Sequence, residues 1–218
     1  NFKLSKEYKK RSEIEDYYDV VVAGSDQIWN ITIKDYDDAY FLNWVKNAKK
    51  IAYAPSFGAR KISNYTENVE KYIDFLKSFD ALSVREENGQ KWIKDMIDIE
   101  VPVLIDPTLL FNYDEYDKLI DTEYEIPEKE YIFFYCPQFN SEICKFVKKV
   151  SRKYNLPVIA WSAKSYYLKG VNKYNFKLPK YESPAVYLKL IKNAKLIFTT
   201  SFHGSIFSTI YRKKFYTI

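Results

Sequence analysis

Residues 196–211 read LIFTTSFHGSIFSTIY. An apolar, β-branched run (LIFTT) ends in hydroxyl residues, a short polar turn (SFHG) follows, and SIFSTIY then sets Ile206, Phe207, Ile210 and Tyr211 at helical spacing. Strand, turn and amphipathic helix in that order form the unit of α/β proteins, where ligands gather at the carboxyl ends of strands. Thr200, Ser201, His203 and Gly204 therefore fall at a strand end and a helix N-terminus. Backbone N–H groups and the positive end of the macrodipole favour an anion there. Gly204 would let a ligand or another backbone approach closely. His203, the single histidine of the chain, could donate hydrogen bonds to that anion or carry a proton. A histidine satisfied by local backbone is the alternative.

Outward from this stretch, β-rich runs alternate with helical patterns. Strands are expected at 19–23 (DVVVA), 50–54 (KIAYA), 81–84 (ALSV), 101–105 (VPVLI), 131–135 (YIFFY), 157–160 (PVIA) and 196–200. Several are apolar at consecutive positions, which suits burial on both faces of a parallel sheet. Helical spacing places Val69, Tyr72, Ile73, Leu76 and Phe79 on one face, and Ile143, Phe146, Val147 and Val150 on another after Ser141 as N-cap. A third helix is expected after Ser183-Pro184, an N-cap followed by proline at the first helical position, with Val186, Tyr187, Leu190 and Ile191 inside. The pattern predicts α/β with right-handed crossovers. The acidic, turn-rich stretch around 112–129 is the expected boundary. That gives an N-terminal Rossmann-like domain (1–112), a linker (113–129) and a C-terminal Rossmann-like domain (130–218), two halves facing a cleft. The chain starts at Asn1 and stops at Ile218 within an apolar run, so both ends are expected to be truncated.

Composition sets the outer limits. The 218 residues are 47% hydrophobic and 29% charged with 5 Gly and 8 Pro, which excludes collagen-like, low-complexity and disordered classes. No apolar run approaches the roughly 18 residues of a membrane span. Two cysteines, Cys136 and Cys144, make no disulfide framework, fit a reducing compartment, and offer no Cys/His cluster for structural zinc. The net charge of +5 conceals an asymmetry: residues 1–100 carry −2, 101–140 carry −7 and 141–218 carry +14. An anionic partner for the last third is one reading, and a solvated lysine face is the other. No nucleic-acid module accompanies the lysines, so a phosphorylated small molecule or a lipid-linked phosphate at a membrane surface is the better candidate.

Four further polar clusters follow expected strands. In VVVAGSDQIWN (20–30), Asp26, Gln27, Trp29 and Asn30 combine carboxylate, amide and indole, the groups a sugar-ring site uses; a turn with Trp29 in the core is the even alternative. In SVRE (83–86), Arg85 could clamp a carboxylate or phosphate, or pair with Glu86, Glu87 or Asp106. Asp106-Pro107-Thr108 closes VPVLI as a turn, and APSFG (54–58) follows KIAYA. Five strand-end clusters in one α/β chain argue for a site more strongly than any one of them.

The ordered set GSDQIWN, AYAPSFG, SVRE, VLIDPTLL and TTSFHGSIFSTIYRKKFYTI resembles the polysaccharide pyruvyl transferase family, over about residues 17–218. Pro55, and Lys213-Lys214 before Phe215, depart from the family pattern at turns. The resemblance implies a GT-B-like pair of Rossmann-like domains. It also implies transfer of the pyruvyl group of phosphoenolpyruvate onto two hydroxyls of a sugar, forming a cyclic ketal in cell-surface polysaccharide biosynthesis. By that resemblance His203 and Arg85 hold the phosphoenolpyruvate anion, with Ser201 and Gly204 beside them, and His203 doubles as the acid. Asp26 is the candidate base, and Gln27, Trp29 and Asn30 face the acceptor. The N-terminal domain would be the acceptor side and the C-terminal domain the phosphoenolpyruvate side. No metal or other cofactor is required by these residues. The implied partners are phosphoenolpyruvate and a sugar or lipid-linked oligosaccharide acceptor, without nucleic acid. The implied location is the cytoplasm, with the lysine-rich third suited to touch anionic membrane at its inner face. A GT-B glycosyltransferase with a nucleotide-sugar donor, or a non-catalytic glycan-binding relative, are the alternatives.

Overall fold

The computed structural model describes residues 8, 13, 14, 17–138, 140–161 and 173–218. The chain divides into two compact units, Asn1–Pro107 and Thr108–Ile218.

In the first unit, β1 (Val20–Ala23) pairs in parallel with β2 (Lys49–Ala52). The runs at 81–84 and 101–105, expected as strands, are instead extended segments joined by single parallel bridges, Ile51 to Ala81 and Val84 to Val103. Their hydrogen bonds still follow sheet order, as the Ser83 amide donates to Ala52 and the Leu104 amide to Val84. Pro102 has no N–H to donate, which keeps the last ribbon short. Helices α1 (Val69–Lys77) and α2 (Glu87–Ile97) cover a core built on Trp29, Phe41, Phe57, Leu76 and Ile93. Burial on both faces fails at β1, where Val20 and Val22 are 43% and 53% exposed while Val21 packs inward. A strand with one covered face alternates, as the pleat dictates.

The second unit begins with a five-residue helix, α3 (Tyr113–Asp117). Strands β3 (Ile132–Tyr135), β4 (Val158–Trp161), β5 (Leu196–Thr199) and β6 (Phe215–Thr217) form one parallel sheet in the order β4-β3-β5-β6. Helices α4 (Ser141–Tyr154), α5 (Pro184–Asn193) and α6 (Phe202–Ile210) intervene. β3, β4 and β5 are buried nearly throughout, as their unbroken apolar runs predict. Ser183 caps α5 by accepting from the Val186 amide, with Pro184 in the first turn. The cap of α4 is Asn140 rather than Ser141, its side chain accepting from Glu142 and Ile143, and Phe146 is exposed.

The stretch expected as a linker, 113–129, packs into this unit: Tyr116 and Tyr124 enter its core. Its acidic side chains meet the lysines of the last third, with Lys192 on Asp117 at 2.6 Å and Lys177 on Glu128; Glu130, just beyond it, takes Lys195 at 2.7 Å. Part of the charge asymmetry is thus complemented within the unit itself. Each such exposed pair contributes little alone, but together they fix where the acidic segment lies.

Candidate functional site

Four of the five motifs meet in the first unit. The turn after β1 and the turn after β2 lie side by side: the Ser56 amide donates to Asp26 at 2.7 Å and the Trp29 amide to Ser56 at 3.2 Å. Asp26 takes a left-handed backbone, φ 68°, and so does Ala54 at φ 51°. Left-handed non-glycine residues cost about 1–2 kcal/mol each and persist where surrounding contacts over-determine them. Gly58, at φ 60°, meets the Gln27–Asn30 amide pair so closely that a Cβ would lie 2.5 Å from both side chains.

The charges of this cluster hold one another. Arg85, its side chain 9% exposed, donates from Nη1 to Asp106 Oδ2 at 2.8 Å and from Nε to Glu86 at 3.0 Å. Asp106, with a side chain 1% exposed, also accepts from Ser25 Oγ at 3.0 Å. Burial opposes the Arg85 charge, yet the hydrogen bonds to Asp106 and Glu86 outweigh it and hold its pKa above the ordinary value. Asp26 Oδ1 lies 3.9 Å from Arg85 Nη2, its side chain 63% exposed. Asp26 and Arg85 are thus brought together, one open to solvent and the other anchored below it.

Trp29 and Asn30 behave otherwise than a sugar site requires. Trp29 is fully buried, stacked on Phe41 at 5.0 Å, and its indole N–H donates to Tyr40 O. Buried Asn30 spends its amide on Gln27 and accepts from Thr32 N and Oγ1. Both are scaffold, and no face of the indole reaches a ligand.

In the second unit, β5 enters α6 as its sequence predicts. Ser201 is the N-cap, its hydroxyl accepting from the Gly204 amide at 3.3 Å, so that amide is already engaged. Gly204 serves the close approach of helix and strand, since a Cβ there would lie 2.3 Å from Thr199 Oγ1. His203, at the second position of the helix, is half-buried.

His203 borders a recess of ≈ 510 Å³ whose walls, among the described residues, are also formed by Tyr135, Trp161, Glu182, Ser183, Pro184 and Tyr187. Tyr135 ends β3 and Trp161 ends β4, while Ser183 opens α5. Strand order reverses about β3, with β4 on one side and β5 on the other. Ligands of open parallel sheets bind at the carboxyl ends beside such a reversal. Tyr187 is the hub of the walls, at 5.1 Å from Trp161 and 5.7 Å from Tyr135 between ring centroids. The sequence displays the Ser183-Pro184 cap and the β3 run, but no spacing ties Tyr135, Trp161 and Glu182 to His203. Among the described residues, no group of three or more His, Cys, Asp or Glu side chains is placed to hold a metal, and no helix is long and apolar enough to cross a membrane.

Parallel strand–helix units with polar turns at the strand ends define a two-domain, Rossmann-like protein. The chain matches the polysaccharide pyruvyl transferase family across residues 1–218 and belongs to that family. It is similar in structure to a protein from Listeria monocytogenes provisionally assigned as a UDP-N-acetylglucosamine 2-epimerase, at 9% identity and a TM-score of 0.52, covering 84% of this chain and 52% of that one. It also aligns with the Methanocaldococcus jannaschii UDP-GlcNAc 2-epimerase solved with UDP-GlcNAc and UDP, at 14% identity and a TM-score of 0.47, over 78% of this chain and 53% of that one. The Listeria likeness shows a GT-B-like fold and nothing of the chemistry. The chain spans about half the length of the solved structures it matches. No curated protein matches it significantly.

Proposed function

We propose that this protein transfers the pyruvyl group of phosphoenolpyruvate onto two hydroxyls of a sugar in cell-surface polysaccharide biosynthesis. The observation that carries the reading is family membership over the whole chain. Supporting it, Asp26 and His203 follow strands β1 and β5, and Arg85 follows the extended, singly bridged segment 81–84.

In this reading the donor's methylene carbon takes a proton, which makes C2 electrophilic, and one sugar hydroxyl adds to C2 as its proton leaves. Breaking the C2–O bond releases phosphate, and the second hydroxyl closes the ketal. Of the two protons lost by the sugar, one balances that gained by the methylene and the other leaves on phosphate. His203 is assigned as the acid and as an anion contact, the α6 N-terminus, capped by Ser201, adding its dipole. Asp26 is assigned as the base. Arg85, preorganised by Asp106 and Glu86, supplies positive charge for the donor's carboxylate or phosphate. The first unit is assigned to the acceptor's reacting hydroxyl and the second to phosphoenolpyruvate. Gln27 is assigned to the acceptor through its exposed edge, and Gly204 and Asn30 act as framework. Donor and acceptor place the protein in the cytoplasm, and the groove formed by Lys145, Lys148, Lys149, Arg152 and Lys173 suits contact with an anionic membrane face.

Calorimetric titration with phosphoenolpyruvate tests the reading. Binding by the wild type that His203→Gln and Arg85→Lys each weaken at least tenfold is the expected result. Thermal stabilisation by a nucleoside diphosphate, with none by phosphoenolpyruvate, would replace it with the glycosyltransferase reading.

A further inference from the structure

The second unit treats its lysines in two ways. Lys192, Lys177 and Lys195 meet Asp117, Glu128 and Glu130 of the acidic stretch and its end. The flank of α4 is built otherwise. Lys145, Lys148, Lys149 and Arg152 recur at three- and four-residue spacing, so they stand as one stripe, about 10 Å long at the rise of an α-helix. Lys173 and Tyr174 complete a groove with them. Lys145 is answered by Glu142 at 2.7 Å, while Lys148, Lys149, Arg152 and Lys173 make no ion pair among the described residues.

The sequence offers little to change that balance. Residues 141–218 hold sixteen basic side chains against two acidic ones, Glu142 and Glu182, and the stretch 162–172 contains no carboxylate. Like charges at neighbouring helix positions repel and weaken the helix. The stripe is therefore a standing cost that an anionic partner would offset.

Shape selects among anionic partners. α4 follows β3 and the stripe runs along the helix, so the cations are spread in a row rather than gathered about a point. Lysine heads on flexible stems cradle a single small phosphate poorly, but a surface carrying many phosphates meets the whole row at once. Tyr174 is held as a wall: its hydroxyl donates to Ser141 O and its ring stacks on Phe176 at 5.6 Å. It forms no part of a series of open rings, the platform that single-stranded nucleic acid uses. Phe146, 47% exposed, stands three positions before Lys149, at neighbour spacing on a helix. A row of cations with an exposed aromatic beside it is the composition of an interfacial helix on an anionic bilayer.

We propose that the α4 flank is a docking surface for an anionic lipid bilayer, with headgroup phosphates on Lys148, Lys149, Arg152 and Lys173 and Phe146 at headgroup depth. This goes beyond the pyruvyl-transfer reading, because it needs neither donor nor acceptor. Combined with that reading, it holds the second unit where a lipid-linked acceptor lies.

The test uses the full chain in vesicle co-sedimentation, with phosphatidylserine mixed into phosphatidylcholine against phosphatidylcholine alone. The wild type is expected to bind only the anionic vesicles, and to lose them as salt rises. Joint substitution Lys148→Gln, Lys149→Gln and Arg152→Gln should weaken binding about a hundredfold, roughly fivefold per charge. Lys173→Gln, which leaves α4 untouched, should weaken it about fivefold. The control is an equal loss of charge in the first unit, Lys34→Gln, Lys77→Gln and Lys91→Gln, which should leave binding unchanged. No binding to anionic vesicles, equal binding by wild type and α4 variant, or an equal loss in the control would each overturn the proposal. Poly(U) RNA held through the α4 cations in place of vesicles would overturn it in favour of a nucleic-acid surface. Phosphoenolpyruvate titrated into the same proteins separates the two levels. If it binds while vesicles do not, the docking surface falls and the pyruvyl reading stands; if vesicles bind and phosphoenolpyruvate does not, the reverse holds.

Discussion

Arg85 closes the 81–84 run of the first unit much as His203 follows β5 in the second, yet the two units treat these side chains differently. Around Arg85 every charge has an internal answer: Asp106 and Glu86 hold the guanidinium, Ser25 holds Asp106, and Gln27 and Asn30 bond to each other. Around His203 the described lining is largely aromatic, with Tyr135, Trp161 and Tyr187 beside Glu182 and Ser183, and the buried Tyr187 hydroxyl has no hydrogen-bond partner among the described residues. The first arrangement fixes geometry, because buried charges must be paired to be tolerated. The second leaves room for a ligand. Polar residues at strand ends can therefore be either the frame of a site or its opening, and only their partners distinguish the two.

The largest effect expected from breaking this contrast is at Asp106. Asp106→Ala leaves the Arg85 guanidinium buried without its main partner and should cost about 3–5 kcal/mol in urea unfolding. A loss near zero would mean the cluster is not structural. Gly58→Ala should cost about 2–3 kcal/mol, because a left-handed backbone and a clash with Gln27 and Asn30 act together. Gly204→Ala should cost less, about 1–2 kcal/mol: it too overpacks, against Thr199, but its backbone is helical and alanine favours a helix. Measured side by side, the two glycines report whether the first unit is the more tightly keyed.

Alkaline pH gives a further comparison. Burial pushes the Cys144 thiol up to about 11, and burial also raises the phenols of Tyr131, Tyr187 and Tyr211 in the same unit, against Tyr36 in the first unit. Folded-state values above the unfolded ones mean that the folded state binds more protons. Stability is then complete below the unfolded values and falls as pH rises from about 9 towards 11 and beyond. Hydrogen exchange across that range should show protection lost first in the second unit, and Cys144→Ala should flatten the early part of the slope. The smallest expected effect is at Tyr187. Tyr187→Phe deletes a buried hydroxyl that has no hydrogen-bond partner among the described residues and should leave thermal stability unchanged or raise it by up to about 1 kcal/mol; a clear loss would reveal a partner for that hydroxyl.

Much of the fold was legible in the residues. Consecutive apolar positions in YIFFY, PVIA and LIFTT suited strands buried on both faces, and Ser183-Pro184 marked the start of α5 because a cap and a fixed φ are local properties. The same reading overreached at 81–84 and 101–105, where strand-like composition produces only bridges, since pairing depends on a neighbour and on amides that Pro102 cannot supply. It also missed that the acidic stretch 113–129 belongs to the second unit, because nothing within that stretch states that Lys177 and Lys192 will meet it.

The candidate site divides along the same line. By itself the sequence determined that Asp26 and His203 follow strands and that Arg85 follows an extended run, since strand, turn and helix are written in consecutive residues. Tertiary structure alone decided that Trp29 is core and Trp161 is wall, that Asp106 neutralises Arg85, and that Tyr135, Glu182 and Tyr187 gather beside His203. Those outcomes join residues tens of positions apart, and burial, which selects between a packed indole and an open one, is a property of neighbours brought together by the sheet rather than of any local pattern.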